Sequence, residues 1–195
     1  YAVTEAGFGA DLGAEKFLDI KCRMAGLTPS AVVVVATIRA LKMHGGLAKT
    51  ELGAENLVAL EKGIPNLLRH VSNIKDVYGL PSVVAINRFP TDTDKEVELI
   101  IEKCRELGVN VRLSTVWADG GKGGVELAEE VVRLCDEENN FTFSYESDTT
   151  IEEKIDAIVR KIYGGDGVVI APAAKKQIDK LTSMGLSNLP VCIAK

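Results

Sequence analysis

Two turns in this chain each carry an aromatic ring just past an apolar, β-forming run. Val83-Val84-Ala85-Ile86 leads into Asn87-Arg88-Phe89-Pro90-Thr91-Asp92, and the run from Val109 to Ser114 leads into Thr115-Val116-Trp117-Ala118-Asp119-Gly120-Gly121. Ligands of open parallel sheets bind in the crevice beyond the carboxyl ends of the strands. Two rings delivered there make a stacking slot for a planar heterocycle. Trp117 is the only tryptophan, and it stands directly before a glycine-rich string, outside any helical or strand stripe. The competing reading is a loop aromatic buried as a plug under the sheet.

Other residues are candidates for anion chemistry. Gly7-Phe8-Gly9-Ala10-Asp11-Leu12-Gly13 lies where a strand hands over to a helix, so backbone N–H groups there can approach an anion or carbonyl. The string is neither GxGxxG nor GxxxxGK[ST], and a plain tight turn explains it equally well. Phe8 between two glycines is placed to project its ring into a cleft. Arg39, Lys42 and His44 follow the most apolar run, where cations meet phosphate or carboxylate, or else line a solvated loop. Gly45 and Gly46 would let that loop close over a substrate. Asp92 and Asp94 offer carboxylates to a metal or a ligand amine, with Asp92 also suited to cap the next helix. Gly120, Gly121, Gly123 and Gly124 surround Lys122, but no Ser or Thr follows the lysine, so the string reads as a flexible loop and not as a magnesium-coordinating phosphate loop. No Ser/His/Asp triad, HExxH or paired catalytic carboxylate is present, and no metal site is expected.

Alternating elements must position these groups. Helical spacing covers residues 10–24, closed by Gly26, and about 54–78, with Gly63 and Pro65 as a candidate break. Ala31 to Ile38 is a continuous β-branched run that suits a central parallel strand covered on both faces. Strands are expected at 82–86 and 109–113, and helices at 93–107, 124–137, 150–163 and 172–184. Thr150 is the expected N-cap of its helix, with Glu153 as its capping-box partner. Short strands are expected at 141–145, 168–170 and 191–194. The fold class is therefore α/β, with mostly parallel sheets and flanking helices. A boundary at Gly79-Leu80-Pro81 would divide it into domains 1–79 and 80–195, the alternative being one continuous sheet.

Composition excludes several classes. With 195 residues, 46% hydrophobic, the chain can bury a core. A net charge of −5 gives no field for a nucleic-acid backbone, and no apolar run approaches the roughly 20 residues that span a bilayer. Cys22, Cys104, Cys135 and Cys192 form no CxxC or Cys/His cluster and read as small hydrophobes in a reducing compartment. The first residue is Tyr1, and both ends read as strands in need of neighbours, so the chain is expected to be an internal segment.

Longer strings carry a resemblance. Val3 to Phe17 (VTEAGFGADLGAEKF), Val35 to Gly46 (VATIRALKMHGG), Ala85 to Thr93 (AINRFPTDT) and Val116 to Gly124 (VWADGGKGG) are similar to formate–tetrahydrofolate ligase, and the similarity runs through Ile162-Tyr163-Gly164 and Asn188-Leu189-Pro190 to the end. The resemblance implies a cytoplasmic, ATP-dependent ligase, homotetrameric in the family. Formate attacks the terminal phosphate to give formyl phosphate, and tetrahydrofolate takes the formyl group. It further implies that the pterin stacks between Phe89 and Trp117 beside Leu113, and that Gly7, Phe8, Gly9 and Ala10 lie near nucleotide and formyl phosphate, with Phe8 on the adenine side. ATP with magnesium, tetrahydrofolate and a monovalent cation are the implied cofactors and substrates, with no nucleic-acid or membrane partner. Residues 1–79 become the end of a nucleotide domain and 80–195 a second α/β domain. The family's phosphate loop, of the TPxGEGKT type, and its formyl-phosphate arginine do not occur here. The catalytic groups are thus expected upstream and this piece alone is expected to be inactive. A non-catalytic folate- or nucleotide-binding module is the alternative.

Overall fold

The computed structural model describes residues 1–194 and divides into two compact units, residues 30–140 and residues 1–29 with 141–195. The boundary expected at Gly79 lies inside the first of these, between two directly paired strands.

The 30–140 unit is built on a parallel sheet of β1 (Val32–Ala36), β2 (Ser82–Asn87) and β3 (Asn110–Ser114), in that order. Val32 pairs with Ser82 and Ala36 with Ile86, while Val83 pairs with Asn110 and Asn87 with Ser114. The run from Ser82 to Ile86 is buried throughout, so β2 is the central strand. β1 alternates instead: Val34 and Ala36 are buried, whereas Val35 is 67% exposed. The expectation of a central strand at 31–38 is therefore corrected. A β-branched run fits any pleated surface and does not by itself say how many faces are covered.

Helix α2 (Ile38–His44) starts one residue after Thr37, whose side chain accepts the Ala40 N–H at 3.2 Å. Arg39, Lys42 and His44 thus sit on a helix and not in a loop, since a Thr N-cap followed by Ile38 and Leu41 at helical spacing starts a turn at once. Helix α3 (Leu57–Ser72, continued by a π-helical turn Asn73–Val77) runs through Gly63 and Pro65 without a break. Gly63 serves close packing against α2. A Cβ on Gly63 would lie 1.8 Å from the Leu41 carbonyl oxygen, and one on Gly45 would lie 1.8 Å from that of Ala59. Gly45 is therefore a contact residue between helices, which gives the expected closing loop a packing role at that position. Helix α4 (Asp94–Glu106) packs on α3 and β3, and the short α5 (Val116–Asp119) leads through a 3₁₀ turn, Gly120–Gly124, into α6 (Val125–Cys135).

In the other unit, Gly13–Lys16, Phe17–Cys22 and Arg23–Ala25 continue as one helix, α1, with a π-helical middle. Helices α7 (Ile151–Ala157, continued by Ile158–Tyr163) and α8 (Pro172–Ser183) complete it, and Thr150 and Glu153 form the expected capping box. The strands expected at 141–145, 168–170 and 191–194 are absent among the described residues. Side chains take the backbone groups that a ladder would have used. The Asp19 carboxylate accepts the Ser144 N–H at 2.8 Å and Arg23 donates to the Tyr145 carbonyl at 2.6 Å, while Lys154 takes the carbonyls of Ser147, Ser187 and Leu189 just outside the expected strands. The Val191 N–H goes to the Tyr145 hydroxyl at 3.1 Å. No helix among the described residues is long and apolar enough to cross a membrane. Cys22 and Cys104 are buried as expected, whereas Cys135 is half-buried and Cys192 exposed.

Candidate functional site

Both aromatic turns leave the sheet at the same level. Asn87 and Ser114 are register partners at the ends of β2 and β3, and the Arg88 N–H continues the ladder to the Ser114 carbonyl at 3.2 Å. Phe89 follows two residues after Asn87 and Trp117 three after Ser114. The Trp117 indole N–H donates to the Arg88 carbonyl at 2.9 Å, so one turn holds the ring of the other. Trp117 stays 58% exposed, a large apolar surface left open at the carboxyl edge. Leu113, half-buried, lies in register with Ile86 at the end of β3. The structure thus brings Phe89, Leu113 and Trp117 to one end of the sheet.

The Phe89 turn is tightly specified. Asp92 is buried, and its carboxylate accepts the Phe89 N–H at 2.8 Å while its own N–H returns to the Phe89 carbonyl at 3.0 Å. Burial pushes the Asp92 carboxyl up, and the Phe89 N–H acts against that rise. Asp92 closes the turn, while the cap of α4 is Thr93, in a capping box with Glu96. The string Thr-x-x-Glu, one residue later than the expected Asp92 cap, was the legible signal. Asp94 pairs with Arg88 at 2.7 Å. The Arg39 guanidinium lies 4.5 Å from the Phe89 ring centre and donates to the Thr91 hydroxyl at 3.1 Å.

The Trp117 turn is also built, and not merely flexible. Thr115 donates its N–H to the Gly123 carbonyl at 3.1 Å and its hydroxyl to Asp119 at 2.7 Å. A Cβ on Gly123 would meet the Thr115 hydroxyl at 2.4 Å, so glycine serves close approach there.

The remaining candidates divide. Lys42 is fully buried: its ammonium donates to Glu96 at 2.8 Å and to the Ala54 carbonyl at 2.8 Å, so its charge is already met inside the unit. His44 is exposed in the last turn of α2. In the other unit, the Gly9 carbonyl accepts from Leu12 and Gly13, which folds the Gly7 to Gly13 turn onto the start of α1. Phe8 is the one non-glycine described residue with positive φ, at 53°, and its ring is 91% exposed with the Lys16 ammonium 6.0 Å from its centre. A bulky residue held in left-handed backbone costs free energy that functional turns commonly carry.

The formate–tetrahydrofolate ligase family model matches residues 1–195. The chain belongs to that family. Membership connects the chain to formate, folate and one-carbon chemistry. Within the described residues of this ligase chain, no group of three or more His, Cys, Asp or Glu is arranged to hold a metal ion.

Proposed function

We propose that this chain carries the folate-stacking part of a formate–tetrahydrofolate ligase, with Phe89 and Trp117 holding the pterin between them and Leu113 forming the slot's apolar floor. The supporting observation is the Trp117 N–H bond to the Arg88 carbonyl, which ties the indole to the residue preceding Phe89 at the sheet's carboxyl edge. Gly7, Phe8, Gly9 and Ala10 are assigned to the nucleotide and formyl phosphate, supported by the exposed Phe8 ring and the small residues around it. His44, exposed on α2, is left as a side chain that could meet an anion, since Lys42 is committed to Glu96 and Arg39 lies over the Phe89 ring.

In the complete cytoplasmic, tetrameric enzyme, ATP-dependent attack of formate on the terminal phosphate gives formyl phosphate and ADP. The tetrahydrofolate amine then displaces phosphate and becomes formylated. This chain's residues bind and orient the acceptor for that second step and shield it from water. The phosphate loop and formyl-phosphate arginine are absent from the sequence, and no residue here is assigned to magnesium or a monovalent cation, so the isolated chain is expected to bind folate without turning over.

Trp117 is the only tryptophan, so its fluorescence reports the slot directly. Titration with tetrahydrofolate should quench it saturably, and Phe89→Ala should weaken binding about tenfold or more, the scale of one aromatic stacking contact. An unchanged emission in the folded chain at all accessible concentrations would remove the slot reading. A non-catalytic folate- or nucleotide-binding module predicts the same quenching. It is separated by adding the upstream part of the ligase: formate-dependent ADP release favours the enzyme.

A further inference from the structure

The Phe89 ring is gripped from one side. Arg39 reaches it from the start of α2, after the neighbouring strand β1, with its guanidinium 4.5 Å from the ring centre and one nitrogen bonded to Thr91 at 3.1 Å. Thr91 belongs to the same turn as the ring, so the arginine holds that turn at two points. The turn is closed by the Asp92 carboxylate on the Phe89 N–H, and Arg88 donates to the Asp92 carbonyl at 3.2 Å. The Arg39 Nε is buried without a hydrogen-bond partner. A guanidinium built to catch a solvent anion would keep its donors free for it, whereas this one lies over a ring and spends a donor on the ring's own turn.

We infer that Arg39 is a positioning residue of the pterin slot: it braces one face of Phe89 so that the other face is presented to the heterocycle, in a layered order of guanidinium, phenyl ring and pterin. The inference rests on the slot reading above. It differs from a direct anion contact in that Arg39 acts through Phe89. A planar cation against one face fixes the ring's angle at little entropic cost and withdraws π density toward itself, which favours stacking of an electron-rich reduced pterin on the opposite face. Charge on Arg39 also helps keep Asp92 ionised as acceptor for the Phe89 N–H.

A double-mutant cycle tests this, read by Trp117 quenching with tetrahydrofolate under anaerobic conditions. Arg39→Gln should weaken binding about 5- to 30-fold, the range of a partly desolvated cation–π contact, with added guanidinium ion restoring part of the loss. In a Phe89→Leu background the same substitution should cost less than about twofold, because the ring it serves is gone. An equal loss in both backgrounds overturns the inference and makes Arg39 a direct ligand contact. Undiminished binding by Arg39→Gln, with wild type binding and Phe89→Leu weakened, overturns it while leaving the slot intact. Absence of wild-type binding instead removes the slot itself. Urea denaturation followed by far-UV circular dichroism checks that each variant is folded. Should Arg39→Gln unfold, Arg39→Lys takes its place in the cycle, since it keeps the charge and loses the plane.

Discussion

Each unit buries a glutamate, and the two are treated in opposite ways. Glu96 in the 30–140 unit is fully buried with both oxygens engaged: one accepts from Lys42 at 2.8 Å and from the Asn56 N–H at 3.1 Å, the other from the Thr93 N–H at 3.1 Å. Glu15 on α1 is 1% exposed, yet neither of its oxygens has a hydrogen-bond partner. Burial by itself raises both carboxyls. At Glu96 the bonds from Lys42, Thr93 and Asn56 outweigh it and the pKa ends below the ordinary value. At Glu15 the Asp19 charge adds to burial, Lys16 offsets only part, and the pKa is pushed up to about 7. Equal burial therefore makes one carboxylate a structural hub and the other a group that prefers its proton.

The largest effect should come from breaking the hub. Lys42→Met leaves Glu96 charged, buried and without its counter-ion, which is expected to cost about 3–5 kcal/mol of stability. Trp117 lies in the same unit, so urea denaturation followed by its fluorescence measures this directly. Adding Glu96→Gln should recover part of the loss. A Lys42→Met midpoint equal to wild type would mean that the pair is not closed in solution.

The bare carboxylate should act in the other direction along the pH axis. Because the folded-state pKa of Glu15 lies above its unfolded value, the protonated form favours folding. Its contribution is whole below about pH 4.5 and is lost as pH rises through about 7. The shift corresponds to at most about 3 kcal/mol across that window. Glu15→Gln should flatten the decline in thermal stability between pH 5 and 8 as read by far-UV circular dichroism. A wild-type profile already flat there would show that the carboxylate finds a partner. Glu96 has the reverse sign, its stabilisation being lost only as pH falls toward its lowered pKa.

What was legible in the sequence follows the same contrast between local and distant causes. β2 and β3, their aromatic turns and the Thr150 capping box depend on residues a few positions apart, so periodicity and punctuation revealed them. Lys42 was misplaced by one short step, since only the Thr37 cap separates β1 from α2. The partners that decide its role, Ala54 and Glu96, are 12 and 54 residues away. The strands expected at 141–145 and 191–194 failed for a related reason: alternation suits an extended chain, but Asp19, Arg23 and the Tyr145 hydroxyl satisfy its backbone, and each lies far along the sequence from the segment it bonds. The placing of both aromatic turns at one end of the sheet was readable because the register of a parallel sheet brings strand ends together. The Arg39 contact was not, since it arrives from α2, the helix that follows the adjacent strand.

The two capping boxes sharpen the comparison at its smallest scale. Thr93 and Thr150 each accept the N–H of a glutamate three residues on, at 3.3 Å and 3.2 Å, and each glutamate reaches back to the cap N–H. Isolated helices would respond alike to losing either threonine hydroxyl. Here Glu96 is also the hub for Lys42 and Asn56, whereas Glu153 bonds Thr150 at an exposed helix end. Thr93→Ala should therefore cost about 1–2 kcal/mol and lose much of that effect in a Lys42→Met background, because the two changes disturb the same carboxylate. Thr150→Ala should cost less and add independently to Lys42→Met. Urea midpoints of the three single and two double variants measure both couplings. Equal coupling of the two threonines to Lys42 would show that the buried and exposed caps are energetically the same device.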